Sequence, residues 1–190
     1  MRIKGKKLAM EIRQSDQILI EKVGNDYWIS DTHIAVKVSE IQFQKFFEKL
    51  LNYKDFEEIS NDPFYNFQDL IEITQYDKVK VEKKDRHSIE ILKQKAKDLK
   101  NQDELLFTDF IIKSYQSRLF KSESGRPVLL NTDYSWLLDQ LEENPNVILK
   151  QEKKLTQINI LNKSGSLEGF IMPMRKDKLD EKFDQLKEMV

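Results

Sequence analysis

The sequence predicts an α+β fold in which antiparallel sheets pack against helices. Apolar residues alternate with period two early in the chain, at Ile18 and Ile20 and at Ile34, Val36 and Val38. Three short strand-like runs separated by hairpin turns close the chain's body between Val147 and Met172. Between these stretches lie segments whose apolar residues recur at helical spacing behind a side-chain cap.

In chain order, Leu8, Met10 and Ile12 alternate and predict a first strand, with Gln14 to Asp16 turning the chain into a second at Ile18 and Ile20. Gly24-Asn25-Asp26 makes the next turn, Tyr27 to Ser30 a third strand, and Ile34 to Val38 a fourth, so the start reads as a β-meander. Ser39 then caps a helix with Glu40 and Gln42 in its first turn, and Ile41, Phe43, Phe46, Phe47, Leu50 and Leu51 form a wide apolar stripe. Tyr53 to Thr74 mixes aromatic and acidic residues around Pro63 and reads as a linker packed back on the body.

Lys78 to Glu82 predicts another strand, and Ser88 caps a helix with Ile89, Leu92, Ala96 and Leu99 inward. Its other side carries Arg86, Lys93, Lys97 and Lys100, diluted by Glu90 and Asp98; such a face either lies along a phosphate backbone or is solvated. Leu105 to Phe120 returns to strands. Thr108-Asp109 echoes Ser30-Asp31, which gives a weak internal repeat over residues 27–51 and 105–141. Val128 to Leu130 is a strand, Asn131 to Asp133 caps a helix bearing Tyr134, Leu137, Leu138 and Leu141, and Asn144-Pro145 stops it. Val147 to Gln151, Leu155 to Leu161 and Leu167 to Met172 follow as strands.

The order L-L-N-x-x-Y-x-x-L-L-D-x-L over Leu129 to Leu141, three strands, and the terminal Ile171-Met172-Pro173-Met174-Arg175 resemble the last half-domain of the bacterial sliding clamp, the processivity factor of the replicative polymerase. Ser30 to Ala35 is also faintly similar to that family's T-D-G-H-R-L-A turn, without its glycine and arginine and one residue short. The resemblance implies a DNA-clamp-like fold built of repeated halves: an N-terminal half with linker over residues 1–75, a fuller domain over 76–175, and an added C-terminal helix over 176–190, where Leu179, Phe183, Leu186 and Val190 form a stripe. It further implies a groove for apolar peptide tails lined by Ile171, Met172, Pro173 and Met174 with Arg175 at its rim, and DNA beside Arg86, Lys93, Lys97 and Lys100. A full clamp subunit has three domains and closes a ring as a dimer. This shorter chain is therefore expected either to assemble from more copies as a homo-oligomer or not to encircle DNA. The implied role is a stand-alone relative, of phage or mobile-element kind, that binds replication or repair proteins.

A different reading comes from Gln116-Ser117-Arg118-Leu119-Phe120, since Q-x-x-L-F is similar to the short peptide by which partners dock on the bacterial clamp. Glutamine would fix the backbone while Leu119 and Phe120 fill an apolar pocket. On that reading the protein is a clamp-binding modulator of replication, provided the pair is not held in a strand core.

Composition excludes several classes of chemistry. The chain has 190 residues, 32 basic against 33 acidic, and no cysteine, so disulfides and thiolate metal sites are ruled out and a wholly DNA-coating surface is disfavoured. Its two histidines, His33 and His87, make no metal pair, and its five glycines make no phosphate-cradling loop. Asp31 and Asp109 could form a carboxylate pair for hydrolysis, although aspartate after Ser or Thr usually caps its own turn. The expectation is a non-enzyme with no metal, no cofactor and no membrane contact. No N-terminal apolar run suggests export, so the expected location is the cytoplasm.

Overall fold

The computed structural model describes residues 3–13, 15, 17–51, 70–75, 79–84, 102–113, 116–134, 136–137, 147–152 and 157–173. The chain divides into two compact units, Arg2–Gln94 and Lys95–Val190, and the strand pairs among the described residues of each are antiparallel.

The first unit opens with a helix, α1 (Gly5–Ile12), where period-two alternation predicts a strand. Gly5, Leu8, Ala9 and Ile12 are the buried residues, an i, i+3, i+4, i+7 stripe, whereas Met10 is 48 % exposed. Leu8 and Ile12 alternate only because both lie one helical turn apart, and Ala9 supplies the neighbour that a strand would have turned outward. The stripe packs on α2 (Glu40–Leu51). Gly5 is the point of closest approach: its N–H donates to Gln42 Oε1 at 2.9 Å, and a Cβ there would collide with the Gln42 carbonyl.

Three strands follow, β1 (Gln17–Val23), β2 (Asp26–Ser30) and β3 (Ile34–Ser39), as the alternation predicts. Gly24, at φ +65°, takes the first place of the two-residue β1–β2 turn, which needs a positive φ there. α2 covers β2 and β3. Phe43 stacks on Tyr27 with ring centroids 4.0 Å apart, and Phe46 and Leu50 are fully buried. Ile41 departs from the expected stripe, being 64 % exposed, because the sheet takes only the arc through Phe43, Phe46 and Leu50.

The chain then returns to the first strand. β4 (Leu70–Gln75) pairs with β1, and β5 (Val79–Lys84) pairs with β4, giving the order β5-β4-β1-β2-β3. β4 lies inside the stretch read from sequence as linker, since Leu70-Ile71-Glu72-Ile73-Thr74 is an alternating run overshadowed by the aromatic, acidic residues before it.

The second unit repeats this path. β6 (Gln102–Ile112), β7 (Ser117–Ser122) and β8 (Pro127–Asn131) form a meander. A single 3-10 turn over Thr132–Tyr134 leads to the helical, buried Trp136 and Leu137. β9 (Val147–Glu152) then returns beside β6, the first strand of its meander, and β10 (Ile158–Asn162) and β11 (Leu167–Ile171) complete the order β11-β10-β9-β6-β7-β8. Meander, helical segment and return strand thus occur twice. The apolar stripe Phe43, Phe46, Phe47 and Leu50 has the same spacing as Tyr134, Leu137, Leu138 and Leu141. Leu138, Leu141, the helix expected behind Ser88 and the expected C-terminal helix lie outside the described residues.

The repeat is clearest at the hairpin turns, where a residue at or just past the end of each central strand caps the turn with a side-chain oxygen. Asp31 Oδ1, buried, accepts from the N–H groups of His33 at 2.9 Å and Ile34 at 2.8 Å. Ser122 Oγ accepts from Arg126 N–H at 2.9 Å, and Asn162 Oδ1 accepts from Ser164 and Ser166 N–H at 3.0 and 2.9 Å. The turns Ser122–Arg126 and Asn162–Ser166 share even their backbone bonds, and each places a glycine, Gly125 or Gly165, at positive φ. In what its side-chain oxygen does, Ser122 answers to Asp31, although the Asp31–Ile34 turn is one residue shorter. Thr108-Asp109, the echo expected from sequence, lies within β6 and marks no turn.

Candidate functional site

The residues assigned to the expected peptide groove fall at and just past the end of β11. Phe170 pairs with Asn159 and Ile171 with Ile158, so Ile171 is the last laddered residue, and it is fully buried beneath its own sheet. Met172 and Pro173 continue past the ladder and are half-buried. Pro173 is tolerated there because the chain has already left the hydrogen-bonded pairing. Of the five residues assigned to the groove, Met172 and Pro173 offer accessible apolar surface, Ile171 does not, and Met174 and Arg175 lie outside the described residues. Arg86, Lys93, Lys97 and Lys100, the expected DNA contacts, also lie outside them.

Gln116 to Phe120 is divided between a turn and a strand. Gln116 is exposed at φ +47°, and its carbonyl accepts both the N–H and the hydroxyl of Thr132, at 2.7 and 2.9 Å. Leu119 and Phe120 are fully buried in β7, paired with Leu129 and Val128 of β8. Phe107 packs on the Phe120 ring and the Arg118 guanidinium lies over both rings. A partner's pocket could take Leu119 and Phe120 only if β7 left its sheet.

The remaining candidates show local roles. Asp31 caps its turn beside Thr32, a β-branched residue at φ +76° whose N–H is held by Ser30 Oγ at 3.0 Å. Asp109 lies in β6, in the second unit, whereas Asp31 belongs to the first. No group of three or more His, Asp or Glu residues suited to a metal occurs among the described residues. No helix among them is long and apolar enough to cross a membrane.

Comparison with known proteins finds no relative. No protein-family model, curated protein or solved structure matches the chain.

What sequence reasoning missed is a set of polar side chains on both faces of the β6–β9 pairing. On one face Gln157 Nε2 donates to Asn159 Oδ1 at 3.0 Å and Asn159 Nδ2 donates to Gln102 Oε1 at 2.9 Å, all three residues being buried. Because β9 runs between β10 and β6, the Asn159–Gln102 bond reaches across a whole strand. Gln102 Nε2 is buried with no acceptor. On the other face the Ser124 hydroxyl donates to Asp103 and lies 3.0 Å from Ser122 Oγ, while Arg126 Nη2 donates to Gln151 Oε1 at 3.1 Å. The sequence carries a signal for this in two polar triplets, Gln102-Asp103-Glu104 and Lys150-Gln151-Glu152, each forming one end of a strand.

Proposed function

We propose that this chain is a non-catalytic, sliding-clamp-like binding protein of DNA replication or repair that engages extended partner peptides at the end of β11. The observation that carries the reading is the duplicated path of meander, helical segment and return strand. Repeated halves are what the resemblance of Pro127 to Arg175 to clamps implies, and the two paths repeat their turn caps as well. Met172 and Pro173 add accessible apolar surface beside a sheet end, where an extended peptide can lay down side chains. The proposal includes DNA held along Arg86, Lys93, Lys97 and Lys100, and assembly from several copies.

The test is fluorescence anisotropy with a labelled peptide bearing Q-x-x-L-F, alongside the solution mass. The expected result is saturable binding that weakens at least about tenfold in Met172→Ala/Pro173→Ala, a loss typical of removing one anchor, with a mass of more than one chain. Absence of peptide binding by the wild type, together with a monomeric mass, overturns the reading. The DNA part predicts salt-dependent binding weakened by Lys93→Glu/Lys97→Glu.

A further inference from the structure

The second unit contains two apolar sub-sheets joined by a polar seam. Within β7–β8 the pairs include Leu119–Leu129 and Phe120–Val128, within β9–β10 they include Ile148–Leu161 and Leu149–Ile160, and within β10–β11 Ile158–Ile171. Among the described residues the β6–β9 pairing has three pairs, Gln102–Glu152, Asp103–Gln151 and Glu104–Lys150, and none contains an apolar residue. After Glu104 the partner changes: Leu105 pairs with Ser122 of β7, so β6 serves the seam with its first three residues and the other sub-sheet with the rest.

We infer that the β6–β9 seam is a built-in hinge, at which the sub-sheet β9-β10-β11 opens from β6-β7-β8 without either unfolding. Apolar pairs resist separation because each exposes hydrocarbon to water. The seam's side-chain ties are amide and guanidinium groups, which exchange a protein partner for water at small net cost. Among the described residues, two side-chain braces span it: Asn159 to Gln102 on one face, and Arg126, carried by the β7–β8 turn, to Gln151 on the other. The first brace leaves the Gln102 amide donor sealed and unsatisfied, and opening would hydrate it. The equivalent seam of the first unit, β1–β4, contains Ile18–Ile73 and Ile20–Ile71, so the repeated topology does not itself demand a polar joint. The inference stands independently of the clamp reading, although the moving sub-sheet is the one that ends in Met172 and Pro173.

Native-state hydrogen exchange of the whole chain, resolved by amide, tests it. The seam-bonded amides of residues 102–104 and 150–152 are expected to exchange at least about tenfold faster than the laddered amides of 118–121 and 158–161, with a weaker dependence on added denaturant. Equal rates and equal denaturant slopes would overturn the hinge, since the seam would then open only with its unit. Because the chain has no cysteine, Asp103→Cys/Gln151→Cys places one disulfide across the central seam pair. Its oxidised form is expected to slow the neighbouring seam amides to the rate of the sub-sheets, with reversal on reduction; an oxidised form whose seam still exchanges fast also contradicts the hinge.

Discussion

The two units send a return strand back beside the first strand of a meander, and they fasten it with opposite chemistry. In the first unit β4 lies on β1 through four pairs, two of them isoleucine with isoleucine, and Ile18 and Ile20 are fully buried. In the second, β9 lies on β6 through three wholly polar pairs. The backbone path is the same in both. Turn geometry and strand register therefore set the path, while side chains at the joint set how firmly it is closed.

The comparison breaks most visibly under Ile20→Ala, which leaves a cavity at the apolar joint and should cost about 2–5 kcal/mol in urea unfolding. Gln151→Ala, at the corresponding polar joint, should cost about 1.5–3 kcal/mol, the range for a lost hydrogen bond to a charged group. An equal or larger loss for Gln151→Ala would show the polar seam to be the stronger one. Gly5→Ala sharpens the account of the first unit, because the added methyl meets the Gln42 carbonyl of α2; about 1–3 kcal/mol of overpacking is expected. A thermal midpoint unchanged by that substitution would contradict the close helix approach.

Smaller effects test the repeat. Asp31→Ala and Asn162→Ala remove equivalent turn caps and should each cost about 1 kcal/mol. If one is neutral and the other severe, the turns are not equivalent. Asn159→Leu, which copies Leu119 of the neighbouring meander, removes the buried hydrogen bonds that Asn159 makes with the Gln102 and Gln157 amides and should cost about 1–3 kcal/mol. Adding Gln102→Leu should recover part of that loss, since one orphaned amide is removed; a strictly additive double-mutant cycle would mean that the two side chains do not interact.

Much of this was legible in the sequence, and the failures have physical causes. β1, β2, β3 and the three closing strands follow from alternation and turn residues, because half-buried strands write their faces into every second position. α1 reads as a strand because Leu8, Met10 and Ile12 satisfy period two, while Leu8 and Ile12 also satisfy helical spacing, and only Gly5 and Ala9, small buried residues on that same stripe, distinguish the two. β4 was hidden by the composition before it. The repeat was visible but out of phase, since Thr108-Asp109 resembles Ser30-Asp31 in letters whereas Ser122 and Asn162 resemble Asp31 in what their oxygens do. Met172 and Pro173 stand at a strand end, as their place in the sequence suggests. The buried amides of Gln102 and Asn159 could not be read from one strand alone, because their bond joins β6 to β10 with β9 between them.

Everything above depends on where the return strands lie, and cross-strand proton contacts between backbones report that directly. Nuclear Overhauser spectra should connect β4 to β1 around Ile18–Ile73 and β9 to β6 around Asp103–Gln151. Spacings in close antiparallel pairs are about 4.5–5.5 Å between Cα atoms, short enough for backbone protons to be seen. Contacts at both places are the predicted result. Contacts that put β9 beside β8, or β4 beside β3, would contradict the duplicated path and remove the ground for the binding role drawn from it.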